Sequence, residues 1–248
     1  MFNKLRRGMV AGGVAGCLSC SVSAGIMAES TRVVFAAGSA EQSLQLANLN
    51  PYPVMVQAWV DDGRLESGPD SAEAAAVALP PIFRLNPQGQ ISLRLIATGL
   101  PLPADRESLF WLNLYEIPPK PGDLPADAQT LTVTLRTQMK LFMRPAKLPS
   151  PVEKVPEQLR FSLVPTKDGQ GLRIDNPSPY YATFRALELV CAGELAQPLT
   201  ADMVAPQAWE TLDLPLPCEA EAAEVRFLLV DDDGKPVAGR TELWASAG

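Results

Sequence analysis

The stretch LTVTLRTQMKLF, residues 131–142, decides the fold of this chain. Apolar side chains stand at alternate positions, at Leu131, Val133, Leu135, Met139 and Leu141, interrupted only by Thr137, and mostly polar side chains fill the positions between them. A period of two over this length predicts a long β-strand with one apolar face. Because the strand is long for a small β-sandwich, we expect part of it to project beyond the core of its own domain. Such an apolar edge aggregates unless another chain covers it, so it is a first indication of strand addition to a partner.

Segments of the same kind lie on both sides of this strand, separated by turn residues. The further predicted strands are Thr31–Phe35, Ser43–Asn48, Val54–Val60, Ile91–Ile96, Leu109–Tyr115, Leu159–Val164, Gly171–Asn176, Ala182–Val190, Trp209–Leu214, Val225–Val230 and Arg240–Trp244. The alanine-rich segment Ser71–Ala78 favours a helical turn. The pattern contains no long amphipathic helix, so it predicts an all-β chain with two immunoglobulin-like β-sandwich domains.

The boundary between the two domains follows from a change in composition after Arg144. Residues 146–156 contain three prolines and alternating charges, which is the composition of a stiff linker. We therefore predict a signal peptide over 1–24, an N-terminal domain over 25–147, a linker over 148–156 and a C-terminal domain over 157–248.

The composition narrows the range of functions. The chain has 248 residues and a formal net charge of −7, which argues against a general binder of nucleic acid or of anionic membranes. It contains no histidine, which excludes serine–histidine and cysteine–histidine catalysis and histidine metal sites. Phosphate-binding glycine loops are also missing from the sequence. We expect a protein that is not an enzyme, with no catalytic residues, no metal, no cofactor and no small-molecule substrate.

The first residues have the features of an export signal. Basic residues precede an uncharged, small and apolar stretch over 8–23. Small side chains at Val22-Ser23-Ala24 and at Ile26-Met27-Ala28 offer two cleavage sites, after Ala24 or after Ala28. The pattern predicts a protein exported from the cytoplasm. A competing interpretation is a lipoprotein that carries its lipid on Cys17.

Two cysteines remain after the leader, Cys191 and Cys218. In an oxidising compartment, a pair within one domain is most simply a disulfide. The alternative is a pair of buried free thiols.

Several short motifs follow one another in an order that is typical of one family. They are, in chain order, Thr31–Phe35, Gln57–Asp61, Pro80–Leu85, Asp105–Asn113, Ile117–Pro119, Lys140–Pro145 and Asn176–Tyr181. With these motifs, the chain resembles the PapD-like periplasmic pilus chaperone family over essentially its whole length after the leader. Two positions depart from the family pattern: Met143 stands where an aromatic residue is commoner, and the turn at 231–234 matches only loosely.

The resemblance implies two domains at an angle, with a cleft between them. Arg32 and Lys140 match the pair that holds the C-terminal carboxylate of a pilus subunit in that cleft, and an Arg fork with an ammonium group suits a terminal carboxylate. Leu131, Val133 and Leu135 match the side chains that the family donates to the subunit.

Two further assignments rest on the same resemblance. Glu107, Arg144 and Asp232 match a charged trio that ties the two domains together. The segment Lys120–Thr130 is short, which resembles the branch of the family associated with rod-like pili that end in an adhesin.

The implied function is that of a periplasmic chaperone that works without ATP. It binds, folds and caps pilus or fimbrial subunits by donor-strand complementation. It then delivers them to an outer-membrane usher. The alternatives are a pilus subunit, a secreted immunoglobulin-like binding module such as a carbohydrate binder, and a secreted hydrolase that uses a carboxylate pair such as Asp105 and Glu107.

Overall fold

The computed structural model describes residues 25–36, 38–64, 67–70, 74–120, 122, 131–167, 169–191, 195–219 and 223–244. The predicted signal peptide over 1–24, with its Cys17 and the cleavage site after Ala24, lies outside the described residues. Most of the short segment Lys120–Thr130 lies outside them as well. In the part of the chain that is described, no helix is long and apolar enough to cross a membrane.

The first domain is a sandwich of two sheets. Its strands are β1 (Ile26–Ala28), β2 (Arg32–Ala36), β3 (Glu41–Asn48), β4 (Val54–Asp61), β5 (Ala76–Leu79), β6 (Ile82–Leu85), β7 (Gln90–Ala97), β8 (Ser108–Ile117) and β9 (Leu135–Arg144). One sheet has the strand order β1-β3-β7-β5, and the other has the order β2-β9-β8-β4-β6. Strand β2 runs parallel to β9, whereas β8 runs antiparallel to it.

Alternating apolar side chains from both sheets build the first core. Leu44 pairs with Leu93 across β3 and β7, and Leu112 pairs with Met139 across β8 and β9. All four side chains are buried in one cluster. Burying an aliphatic side chain of this size stabilises the fold by about 1.5–3 kcal/mol, so the sandwich is held mainly by such pairs.

The second domain is also a sandwich. Its strands are β10 (Arg160–Thr166), β11 (Gly169–Asn176), β12 (Ala182–Cys191), β13 (Leu195–Leu199), β14 (Met203–Val204), β15 (Ala208–Asp213), β16 (Glu224–Val230) and β17 (Pro236–Glu242). The sheets have the orders β10-β11-β15 and β13-β12-β16-β17, and β14 adds to β12. Phe161 and Phe227 meet in the core between these sheets, with their ring centroids 5.4 Å apart. The predicted all-β fold with two sandwich domains is confirmed.

A disulfide joins Cys191, at the end of β12, to Cys218. The bond decides between the two alternatives that the sequence leaves open. It closes a loop with a sequence separation of 27 residues. Closing a loop of that size stabilises the domain by about 3–4 kcal/mol in the chain-entropy description.

The strand predicted over Leu131–Phe142 begins later than expected. Strand β9 starts at Leu135, and Leu131 and Val133 lie before it. Backbone pairing explains the difference, because the last residue pair between β8 and β9 is Glu116 with Leu135. On the other side, β2 pairs with β9 only from Lys140 onwards. Residues 131–134 therefore have no neighbouring strand among the described residues.

Two other segments also differ from the sequence pattern. Ala76–Leu79 forms strand β5 and not part of a helical turn, because β5 pairs with β7 and buries Ala76 and Ala78 in the core. The predicted linker contains a 3-10 turn at Val152–Lys154, which leads into the short helix α1 (Val155–Gln158). Val155 packs in the core of the second domain, so the end of the linker segment adheres to that domain.

Candidate functional site

Arg32 and Lys140 are direct neighbours at the edge that faces the second domain. The parallel register of β2 and β9 aligns Arg32 with Lys140. Neighbouring strands lie about 4.7–4.9 Å apart, and aligned residues point to the same face of the sheet. The structure therefore brings the two predicted anchor cations side by side.

The guanidinium of Arg32 is buried between the domains. Only 9% of the residue is exposed, and Nη1 donates a hydrogen bond of 3.1 Å to the backbone oxygen of Val230 in the second domain. Its Nε is buried and has no hydrogen-bond partner among the described residues. Burial lowers the pKa of Arg32 from its ordinary value, although the charges of Asp232, Asp231 and Glu107 act in the opposite direction. The group remains a cation with an unused donor.

Lys140 forms a second link between the domains. Its Nζ lies 2.8 Å from Oδ1 of Asp202, which precedes β14. The Lys140 side chain is only 14% exposed, whereas that of Asp202 is 79% exposed. The ammonium also lies 5.9 Å from the centre of the Trp111 ring, a favourable position for a cation. Sequence reasoning missed Asp202, since no motif includes it.

Arg144 connects the two domains through both of the other members of the charged trio. Its Nε donates to Glu107 Oε1 at 2.7 Å within the first domain. Its Nη1 and Nη2 donate to the two carboxylate oxygens of Asp232 in the second domain at 2.6 and 2.8 Å. Burial works against the charged form of Arg144, but the hydrogen bonds to Asp232 and the charge of Glu107 outweigh it and raise its pKa.

Glu107 is the most deeply buried member of the trio, with 4% exposure. Its Oε2 accepts a hydrogen bond of 2.9 Å from the backbone N–H of Tyr181. Its own N–H donates to the backbone oxygen of Pro179 at 2.9 Å, so both ends of the residue contact the second domain. Burial raises the pKa of Glu107, while Arg144 and the Tyr181 N–H act to lower it.

A cleft of about 460 Å³ opens beside Arg32 and the charged trio, and its lining does not include Lys140. Its lining joins the trio and Arg32 to apolar surface, including Phe142 of the first domain and Tyr181 of the second. The rings of Phe142 and Tyr181 lie 5.6 Å apart. In the described part of the chain, no group of histidine, cysteine, aspartate or glutamate side chains is arranged to hold a metal ion.

The predicted donor residues lie away from this cleft, on one exposed run. Leu131 is 89% exposed, Val133 60% and Leu135 46%. They continue the alternation of Met139 and Leu141, which are buried in the core. The apolar face of β9 is therefore covered by its own domain at one end and open at the other.

A buried polar network supports the opposite face of β9, and sequence reasoning missed it. Asp61 is fully buried and accepts hydrogen bonds from Trp59 Nε1 at 2.9 Å and from Asn113 Nδ2 at 2.8 Å. Arg136 lies 3.3 Å from the same carboxylate and stacks over Trp59 at 5.0 Å. Asn113 and Arg136 are too distant from Asp61 in the chain for a local pattern to reveal the cluster.

Fold and site together define a two-domain β-sandwich protein with a charged inter-domain cleft and an open strand end. Residues 25–149 match the family "Pili and flagellar-assembly chaperone, PapD N-terminal domain", and residues 154–241 match "Pili assembly chaperone PapD, C-terminal domain". The chain therefore belongs to the PapD pilus-assembly chaperone family. This assignment confirms the resemblance and favours a chaperone over the alternatives of a pilus subunit and a secreted binding module.

Individual relatives agree with the family. The probable fimbrial chaperone YadV of Escherichia coli K12 is 32% identical over 232 residues, which cover 92% of this chain and 94% of YadV. The chaperone protein FimB/FhaD of Bordetella pertussis is 34% identical over 236 residues, which cover 92% of this chain and 93% of FimB/FhaD.

Solved structures give the same result. The Pseudomonas aeruginosa CupB2 chaperone superposes with a TM-score of 0.74 at 32% identity, over 88% of this chain and all of that one (100%). The SafB chaperone of Salmonella enterica was solved in complex with the SafA pilin. It superposes with a TM-score of 0.72 at 27% identity, over 89% of this chain and 97% of SafB.

Proposed function

We propose that this protein is a periplasmic chaperone that lends the open end of β9 to an incomplete pilus subunit and holds the subunit's C-terminal carboxylate with Arg32 and Lys140. It works without ATP and delivers the subunit to an outer-membrane usher. One observation carries the proposal. The apolar face that is buried at Met139 and Leu141 resumes beyond Thr137 as exposed side chains at Leu135, Val133 and Leu131, and among the described residues the backbone of 131–134 pairs with no strand.

The exposed run has the properties of a strand that is to be donated. In the part of the chain that the structure describes, its backbone has no neighbouring strand before Leu135, so its N–H and C=O groups are available to a partner sheet. Burying Leu131, Val133 and Leu135 in a partner contributes about 5–9 kcal/mol before the cost of ordering. That is a large share of the binding energy of a typical specific complex.

The carboxylate anchor gives this strand a defined register. Lys140 lies nine residues after Leu131, which corresponds to about 30 Å of extended chain. A slip by one residue would point the threonines into the subunit and not the apolar side chains. A fixed charge at one end of the strand prevents that slip.

The contacts around the two cations support a displaceable anchor. Lys140 is paired with Asp202, whose side chain is largely exposed, and exposed ion pairs contribute little free energy. Arg32 lies beside Lys140 in the parallel register and offers a second cation to an incoming carboxylate. An incoming carboxylate that contacts both cations therefore has an advantage over Asp202, which pairs with Lys140 alone.

The trio is proposed to hold the orientation of the two domains, because Arg144 bonds to Glu107 on one side and to Asp232 on the other.

The periplasmic location is proposed from the predicted leader and from the disulfide, which needs an oxidising compartment. The usher as a partner rests on the family alone.

Co-expression with a pilus subunit from the same organism tests the proposal. Val133→Asp should abolish recovery of the soluble complex without lowering the melting temperature of the chaperone, because Val133 is 60% exposed in the free chain. The matched control is Thr132→Asp, which places the same charge next to it on the opposite face. If Val133→Asp left recovery of the complex unchanged, the donated strand would lie elsewhere.

A further inference from the structure

Glu116 is a buried carboxylate without a cationic partner in the described part of the chain. It is 4% exposed and lies on β8, in the row of side chains that includes Leu112 and Leu114 of the core. Its Oε1 accepts a hydrogen bond of 2.9 Å from the backbone N–H of Ile26. Among the described residues, the ion pairs include none with Glu116. A buried charge of this kind is costly unless an opposite charge compensates it.

Gly25 lies directly over this carboxylate. A Cβ atom added to Gly25 would stand 3.5 Å from Oε1 and 3.9 Å from Oε2 of Glu116. The φ angle of Gly25 is +115°, which side chains with a Cβ rarely adopt. The φ angle, and not a lack of space beside Glu116, therefore favours glycine at this position.

The backbone nitrogen of Gly25 already has a buried hydrogen-bond acceptor. It donates a hydrogen bond of 3.0 Å to Oδ1 of Asn50, which is 2% exposed. The amide Nδ2 of Asn50 donates to Oδ1 of Asn48 at 2.9 Å, so the Asn50 oxygen is oriented towards Gly25. Two buried acceptors, one neutral and one anionic, thus surround the start of the described chain.

The sequence offers a cut immediately before Gly25. Val22-Ser23-Ala24 places small residues at the two positions that a leader peptidase reads. A cut after Ala28 would remove β1 instead. Strand β1 pairs with β3, from Ile26 opposite Asn48 to Ala28 opposite Leu46, and Ile26 and Ala28 pack against the first core. The fold therefore favours the first site.

We propose that the chain is cut between Ala24 and Gly25, and that Glu116 and Asn50 form a receptor for the new α-ammonium group of Gly25. Hydrolysis of this peptide bond consumes one water, leaves a carboxylate on Ala24 and an amine on Gly25, and the amine takes up a proton at neutral pH. The uncut amide has a single N–H, which Asn50 accepts. The ammonium adds two further N–H groups and the positive charge that Glu116 lacks, so processing strengthens the first domain.

The first measurement is the N-terminus itself. The full chain is expressed with its leader in a bacterium and purified from the periplasm, and its intact mass and terminal sequence are determined. We expect a chain that begins at Gly25. A chain that begins at residue 29, or one that carries lipid on Cys17, would overturn the proposal.

The second measurement separates the receptor from the cut. The protein is released from a cleavable tag so that it begins either at Gly25 or at a Ser-Ser dipeptide before Gly25, and each form is made with Glu116 or with Glu116→Gln. Extension of the chain should lower the melting temperature of the Glu116 protein by about 3–8 °C and should have a much smaller effect on Glu116→Gln. The control is Glu242→Gln, which is exposed and should respond to extension like the Glu116 protein. Equal effects of extension in the Glu116 and Glu116→Gln backgrounds would show that the ammonium and Glu116 do not interact.

Discussion

The ammonium of Lys140 lies 2.8 Å from a carboxylate oxygen of Asp202, and this contact joins the first domain to the second. The cation that we propose to grip a subunit is thus already paired with an acid of the same chain. Binding of a terminal carboxylate would exchange one ion pair of Lys140 for another, and the released carboxylate of Asp202, which is largely exposed, would be solvated by water.

Asp202→Asn should increase the affinity for a subunit about two- to fivefold, because the acid of the competing ion pair is largely exposed and pairs with a solvated member are worth about 0.2–1 kcal/mol. Calorimetry with a synthetic peptide of the subunit's last strand measures the change, and Asp213→Asn on the far sheet serves as the control. An amidated peptide should bind both proteins equally. Weaker binding by Asp202→Asn would instead place Asp202 in the binding surface.

Lys140→Ala should leave the protein folded and reduce the affinity for the same peptide by about 10- to 150-fold, the value of a charge-assisted hydrogen bond of about 1.5–3 kcal/mol. Arg32→Ala should have a similar effect on binding. Because Arg32 also donates a hydrogen bond to the backbone oxygen of Val230, the melting temperature of the Arg32→Ala protein must be measured in parallel. Lys147→Ala, an exposed lysine, is the matched control. If Lys140→Ala still recovered normal amounts of soluble subunit, the anchor assignment would be wrong.

Glu107→Gln should change how stability depends on pH. Burial raises the pKa of Glu107 in the folded state above its ordinary value of 4.5, so folding favours the protonated form. The contribution of Glu107 to stability is therefore complete below pH 4.5 and is lost as the pH rises through the raised pKa. The free energy of unfolding of the Glu107 protein, minus that of Glu107→Gln, should therefore fall over this window. Urea titrations at a series of pH values give this difference. A difference that grew with pH would mean that Arg144 and the Tyr181 N–H outweigh burial and lower the pKa.

Gly234→Ala should destabilise the contact between the domains. Gly234 has a φ of +80°, and a Cβ there would lie 2.6 Å from Oγ1 of Thr31 in the first domain. Gly38→Ala is a matched control, because Gly38 has a φ of +82° and open space around it. Backbone strain alone costs about 1–2 kcal/mol, so denaturation should show about that loss for Gly38→Ala and a larger one for Gly234→Ala. Equal losses would show that Thr31 moves aside without cost.

The sequence pattern predicted the phase of the long strand correctly and its start incorrectly. Periodicity reports which face of a segment is apolar, and Leu131 to Leu141 keep that phase except at Thr137. It does not report whether a neighbouring strand exists, and β8 offers none before Leu135. The same limitation applies to Ala76–Leu79, where alanine propensity favours a helix but pairing with β7 makes a strand.

The site was predictable only where a motif spans it. Arg32, Lys140, Glu107 and Arg144 lie in motifs of a known family, and their positions in the sequence identified them. Asp202 lies 62 residues from Lys140 and in no such motif, so only the packing of one domain on the other reveals it. The network around Asp61 joins residues of two separate motifs to Arg136, which lies in none, and only the pairing of the strands brings them together.

The proposed donor end, the proposed anchor and the inter-domain bond all belong to strand β9, at Leu135, Lys140 and Arg144 respectively. Inserting or deleting a single residue between them would turn half of the strand over relative to the other half. Evolution can therefore lengthen or shorten the connections that flank β9, but within these ten residues it is restricted to replacing one side chain at a time.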